Sequence, residues 1–173
     1  GRAGSVLERV IVRLRDLGVD PEVLTPISSE GSLEAIRQIG STNSGRLLLV
    51  GGDGLIHLAA GALAGGSTVL GVIAAGTGND TARALGLLDK SLEQRVDRAM
   101  GDPIAIDLAM GSDQPVVTSA VCGFPVTVNE RANGFKFPTG PNKYTFATLL
   151  ELPRMTPLDY QITLDGESFE ATA

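Results

Sequence analysis

Hydrophobic positions change their period along this chain, and the changes mark out its elements. Val6, Leu7, Val10, Ile11, Leu14 and Leu17 recur at helical spacing, the apolar stripe of an amphipathic helix. Ser5 with Glu8 three residues on is a capping-box pair at its start, and Gly18 is a stop signal at its end. Residues 19–25 read as a short strand with Pro21 near its beginning, and 26–31 as a polar loop. Residues 32–38 read as a short helix ended by Gly40. Leu47, Leu48, Leu49 and Val50 then form a continuous apolar run, the pattern of a strand buried on both faces of a parallel sheet. The run breaks into Gly51-Gly52-Asp53-Gly54. A helix is expected over 55–63, terminated by Gly65 and Gly66. A second apolar strand over 68–74 runs into Gly76-Thr77-Gly78-Asn79-Asp80. A helix starting at Asp80 or Thr81 and reaching Leu85 follows. Ser91 with Gln94 makes another capping box, for a helix ending near Gly101.

The period changes after Pro103. Residues 104–109 and 116–121 look like strands joined by a turn at 111–114. Residues 141–152 look helical, with Pro141 at the first position. Residues 159–164 and 167–171 flank Asp165-Gly166, a two-residue hairpin signal. The chain thus alternates strand and helix over 1–102, and over 103–173 reads as mainly antiparallel β. A doubly wound domain begins with a strand feeding its first helix, so a strand is expected ahead of Gly1. A continuation of the β region is expected beyond Ala173.

Composition narrows the class. Of 173 residues, 43% are hydrophobic but only 4% aromatic, with no Trp, so the core must be aliphatic. A net charge of −6 argues against a general nucleic-acid-binding surface. Cys122 is the only cysteine, so no internal disulfide forms, and it reads as a small buried apolar residue. The chain shows no signal peptide and no apolar run near 18 residues, so no transmembrane segment is expected. A reducing, cytoplasmic setting fits this cysteine usage.

The candidate chemistry sits in the two glycine loops. Parallel strands deliver Gly51-Gly52-Asp53-Gly54 and Gly76-Thr77-Gly78-Asn79-Asp80 to the same sheet edge, where open α/β sheets bind ligands. Glycine lets backbone N–H groups approach a ligand closely, and the helix starts behind the loops add unpaired donors and a positive dipole end. Two carboxylates in a phosphate cradle need a counter-charge, and a shared Mg²⁺ supplies one, since it takes carboxylate and phosphate oxygens. Either loop alone reads equally well as a tight turn or a helix cap. The pair on one edge points to phosphate binding.

The segments Leu49-Val50-Gly51-Gly52-Asp53-Gly54 and Gly71-Val72-Ile73-Ala74-Ala75-Gly76-Thr77-Gly78-Asn79-Asp80-Thr81-Ala82-Arg83 resemble the diacylglycerol kinase catalytic domain. The likeness is to the bacterial lipid kinases, especially actinobacterial ones, which are related to sphingosine kinases. It continues through Ile106-Asp107-Leu108, Gly123-Phe124, 128–133 and Asp165-Gly166-Glu167. The resemblance implies a three-layer α/β nucleotide-binding domain followed by part of a β-rich sandwich domain. It implies an ATP-dependent kinase that phosphorylates a lipid hydroxyl, with diacylglycerol the expected acceptor. Gly51, Gly52, Asp53 and Gly54 match the first nucleotide loop, and Gly76, Thr77, Gly78 and Asn79 the second. Asp53 and Asp80 are the implied catalytic and Mg²⁺-binding pair, and Thr25 matches a threonine near the nucleotide. The lipid partner implies a protein peripheral to a membrane surface, with a homodimer left open as an assembly. NAD kinase shares the first loop, and a non-catalytic nucleotide-binding module is the other alternative.

The match has departures. The family continues the first loop with Thr, an apolar residue, Asn and Glu, whereas Leu55, Ile56, His57 and Leu58 stand here. Pro125 follows Gly123-Phe124 where Asp is common. The family's Asn-Pro-x-x-Gly loop is absent, with Gly1 at its expected end. A general base and a structural metal site are expected beyond Ala173. His57, the only histidine, reads as a packing or capping residue or as a nucleotide contact. Phe135, Phe137, Tyr144 and Phe146 lie among Arg131, Lys136, Lys143 and Arg154, a cluster suited either to a lipid interface or to packing within the protein.

Overall fold

Strands β1 (Arg46–Gly51) and β2 (Val69–Ala74) pair in parallel, with Leu49 opposite Val72 and Gly51 opposite Ala74. A computed structural model describes residues 2–42, 45–88, 91–111, 114–119, 121–138, 140, 142–164 and 166–172. The chain forms two compact units, Gly1–Ser119 and Ala120–Ala173.

The first unit is layered by the alternation of β1. Leu48 and Val50 pack with Ile73 against helices α1 (Arg2–Asp16) and α5 (Leu92–Met100), around buried Val10, Leu14, Leu92 and Val96. Leu47 and Leu49 point the other way, onto α2 (Ser29–Ser41) and α3 (Asp53–Leu63), around buried Ile36 and Ala59. Successive strand residues face opposite sides, so one four-residue apolar run serves both cores. The result is the expected three-layer α/β arrangement around a parallel sheet.

Gly18 ends α1 as expected, with φ +79 and the Val19 amide donating to the Leu14 carbonyl. The Ser91 capping box opens α5 with both reciprocal bonds. Gly65 and Gly66 follow α3, with the Gly66 amide donating to the Leu63 carbonyl. Several details differ from the sequence reading, among them helix α2, which begins at Ser29 inside the loop expected over 26–31. Helix α1 begins at Arg2, so Ser5 lies inside it rather than capping it. Residues 19–25 form no strand; Pro21 has no N–H to give a ladder, and the sheet described here pairs only β1 with β2. Helix α2 runs through Gly40, where a side chain would meet Leu63 of α3 at 2.9 Å. That glycine permits close helix packing instead of ending the helix. Helix α3 begins at Asp53, two residues earlier than expected.

Strands β3 (Ala109–Gly111) and β4 (Gln114–Val116) form an antiparallel hairpin of three residues a side, shorter than the segments 104–109 and 116–121 suggest. Ile104 and Ile106 are exposed and lie outside any strand. The hairpin packs on α3, where Gly61 leaves room for Pro115. Ser112 and Asp113 of the expected turn lie outside the described residues, as do Gly1, Pro141 and Asp165.

The second unit holds α6 (Phe124–Asn133), α7 (Asn142–Glu151), a 3-10 turn (Leu152–Arg154) and the antiparallel pair β5 (Asp159–Leu164) and β6 (Glu167–Thr172). The hairpin matches the sequence reading in both strands. Helix α6 was not foreseen, and its presence corrects the reading of 103–173 as mainly β. Its signal is Pro125 in the first turn, where the missing N–H costs nothing. Buried Val128, Ala132 and Ala147 join α6 to α7, with Phe124 and Phe135 packed beside them. Arg131 pairs with buried Glu151. Phe135 and Phe146 pack with ring centroids 5.7 Å apart, and the Lys143 ammonium lies over the Tyr144 ring. Much of the basic–aromatic cluster is therefore engaged inside this unit, while Phe137 is 86% exposed. Cys122 is exposed and free, not the buried residue expected. Among the described residues no helix is long and apolar enough to cross a membrane.

Candidate active site

The parallel register carries both glycine loops to one edge of the sheet. Its last bond, from the Ala75 amide to the Gly51 carbonyl at 2.8 Å, brings the chain after β2 alongside the first loop. The loops then touch backbone to backbone. A side chain on Gly76 would come within 2.6 Å of the Gly52 Cα, and one on Gly52 within 3.1 Å of the Gly76 Cα. Only paired glycines allow this approach.

Asn79 shapes the second loop. It sits in the left-handed region at φ 59, which Asn tolerates better than most residues. Its side chain accepts from the Gly76 amide and donates to the Gly76 carbonyl, each at 2.9 Å. That closes the turn and sets the direction of α4 (Asp80–Ala84).

Asp53 joins the two loops. It belongs to the first turn of α3, yet its Oδ1 accepts from the Thr81 amide at 2.9 Å, at the start of α4. Asp53 thus places an anion at the start of the neighbouring helix. Burial pushes its carboxyl upward. The amides of Thr81, Asp80 and Asn79, with the Thr81 hydroxyl, outweigh burial and hold it below the usual carboxylate value. Such donors favour the charged form.

Around Gly78 the two carboxylates converge. The space a side chain there would fill lies 3.2 Å from Asp53 Oδ2 and 3.5 Å from Asp80 Oδ2. Asp80 also pairs with Arg83, whose guanidinium donates to the Gly78 carbonyl at 3.1 Å. Helix α3 opens at Gly52 with no side-chain cap, so no capping side chain takes up the amides of its first turn. These are donors and acceptors for a metal–phosphate group. Two carboxylate oxygens beside one space suit Mg²⁺, which keeps most of its shell as water and phosphate oxygen.

Residues 1–110 match the family described as "Diacylglycerol kinase catalytic domain". The chain belongs to the diacylglycerol kinase catalytic domain family. Within curated proteins it is 34% identical over 172 residues to a "Diacylglycerol kinase" of Mycobacterium tuberculosis (strain ATCC 25618 / H37Rv), covering 96% of this chain and 56% of that protein. It is 27% identical to a "Probable lipid kinase YegS-like" of Shewanella frigidimarina, over 94% of this chain and 55% of that protein. A "Diacylglycerol kinase" of Staphylococcus carnosus is 26% identical, over 95% of this chain and 55% of its own length. The chain spans about half the length of these relatives.

The structure brings together Gly51, Gly52, Asp53, Gly54, Gly76, Thr77, Gly78, Asn79 and Asp80, as the family motif leads one to expect. Thr25 lies exposed between α1 and α2, and no hydrogen bond among the described residues ties it to either loop. Leu58, where the family carries Glu, packs in the core between α2, α3 and β1. His57 is exposed on α3. Sequence reasoning missed Thr81 as a site residue and gave Arg83 no role. No signal in the sequence singles out Thr81, which stands between Asp80 and Ala82 at a helix start.

Proposed function

We propose that the whole protein is an ATP-dependent lipid kinase, transferring the γ-phosphate to the hydroxyl of diacylglycerol. The observation that carries this reading is the contact of Gly52 with Gly76, which joins two phosphate-type loops and sets Asp53 beside Asp80. In this reading the unit Gly1–Ser119, which takes in the β3–β4 hairpin beyond the boundary expected at 102, is the nucleotide-binding domain, and Ala120–Ala173 is part of a second, mixed helix-and-strand domain. The acceptor lipid would be met at a membrane surface, by a protein peripheral to it on the cytoplasmic side; a homodimer is compatible with this.

Each of the chain's own groups has a task in that reading. The open first turn of α3, at Gly52, Asp53 and Gly54, would receive phosphate oxygens. Thr77 and Gly78 would line the other side, and Thr25 would lie near the nucleotide. Asp53 and Asp80 would hold Mg²⁺ through their oxygens over Gly78. When bound, Mg²⁺ supplies neutralisation of the charge on the transferring phosphate. Arg83 keeps Asp80 from swinging away. The protein's contribution is positioning, and fixed geometry alone accounts for large accelerations.

The test is transfer of labelled phosphate from ATP by the full-length protein, offered diacylglycerol, sphingosine and NAD. Labelled phosphatidic acid is the expected product. Transfer to NAD alone would overturn the lipid assignment. ATP binding with no transfer would overturn catalysis.

A further inference from the structure

We propose that Asn79 is a positioning residue of the second loop: its side-chain amide grips the Gly76 backbone at both N–H and C=O, so that Thr77 and Gly78 are held in a closed turn before any nucleotide arrives. The proposal rests on the kinase reading above and assigns a loop residue to which that reading gives no task. Asn79 Oδ1 accepts from the Gly76 amide and Nδ2 donates to the Gly76 carbonyl, each at 2.9 Å. Asn79 directly precedes α4, yet its side chain makes no capping bond to that helix. It is turned back onto its own loop instead.

Three demands meet at position 79. The backbone is left-handed, with φ 59 and ψ 40, and Asn79 is the non-glycine residue with positive φ among those described. Glycine and aspartate also tolerate that region. Glycine has no side-chain amide, however, and an ionised aspartate accepts without donating. Asparagine supplies both the acceptor and the donor that the Gly76 backbone takes up. Gly76 is also the residue that meets the first loop: a side chain on it would come within 2.6 Å of the Gly52 Cα and 2.9 Å of Asn79 Oδ1. The turn from Gly76 to Asn79 therefore rests on Gly52, and holding Gly76 holds the two loops in one geometry. A loop ordered beforehand loses less conformational freedom when it binds a phosphate chain.

The experiment compares Asn79→Gly and Asn79→Asp with wild type in the full-length protein. Glycine keeps the left-handed backbone and removes both side-chain bonds, whereas aspartate keeps the acceptor for the Gly76 amide. Without nucleotide or metal, hydrogen exchange at the Gly76 amide, followed by NMR, should speed up about 5-fold or more in Asn79→Gly, the worth of one hydrogen bond. It should stay near the wild-type rate in Asn79→Asp. The dissociation constant for ADP should rise about 5- to 30-fold in Asn79→Gly, the equivalent of ordering the backbone of one more residue on binding. In phosphate transfer the change should fall on KM for ATP, with kcat nearly unaltered. Unchanged exchange at Gly76 in Asn79→Gly, unchanged ADP binding, or a loss confined to kcat overturns the proposal. A wild-type protein that binds ADP but transfers no phosphate overturns the kinase reading instead, and amide exchange and ADP binding still decide the role of Asn79.

Discussion

At the scale of residues, Asp53 combines a structural bond with a chemical role. Its Oδ1 caps the start of α4 while Oδ2 borders the space over Gly78. Substitutions separate these. Asn retains an acceptor for the Thr81 amide but not the charge, so Asp53→Asn should lower urea stability at neutral pH less than Asp53→Ala does. Asp53→Ala strands that amide and should cost about 1 kcal/mol, measured by chemical denaturation. Acid should act through the same bonds. Because the folded carboxyl is held below its ordinary value, the unfolded chain takes up this proton first as pH falls. The stabilisation is fully present above the ordinary carboxylate range and is lost as pH drops through the lowered folded value. Metal-free urea midpoints followed from neutral to acid pH should fall less steeply in Asp53→Asn than in wild type. Equal slopes would detach this pH dependence from Asp53. Asp53 and Asp80 were legible in the sequence because carboxylates in glycine loops are conspicuous. Thr81 was not, since a threonine at a helix start is ordinary until its burial and its partner across the chain are seen.

At the scale of elements, the glycines divide by what surrounds them. A side chain on Gly76 would meet the Gly52 Cα at 2.6 Å and Asn79 Oδ1 at 2.9 Å, whereas nothing lies within 4 Å of one on Gly54. Gly76→Ala should therefore cost about 1–3 kcal/mol, the range for overpacking, since backbone cannot yield as a side-chain tip can. Gly54→Ala, in the first turn of α3, should fold at least as stably as wild type. Thermal melts of the two variants check the contrast, and equal losses would contradict it. The buried strands and their loops were readable because a continuous apolar run ending in glycine has few other meanings. Gly40 was misread because the sequence cannot tell a helix stop from close packing on Leu63. Residues 19–25 were misread because a strand is defined by its neighbour, not by its own pattern. Helix α6 was hidden because Phe124 to Asn133 has only a weak apolar face, and its tie to α7 is tertiary.

At the scale of the whole molecule, the first unit carries both loops and all the charged groups argued to handle phosphate. Leu58 stands where the motif's acid is expected, and it packs against the cluster of Ile36, Leu49 and Ala59 as a partly buried apolar residue. The family assignment rests on the match over residues 1–110, while catalysis is a claim about the full-length protein. The most direct test is labelled-phosphate transfer from ATP to diacylglycerol by full-length wild type and Asp53→Asn, with folding of both checked by melting. The predicted result is phosphatidic acid from wild type and loss of transfer in a variant that remains folded. Undiminished transfer by folded Asp53→Asn would contradict the account, because the carboxylate over Gly78 would then have no part in the reaction.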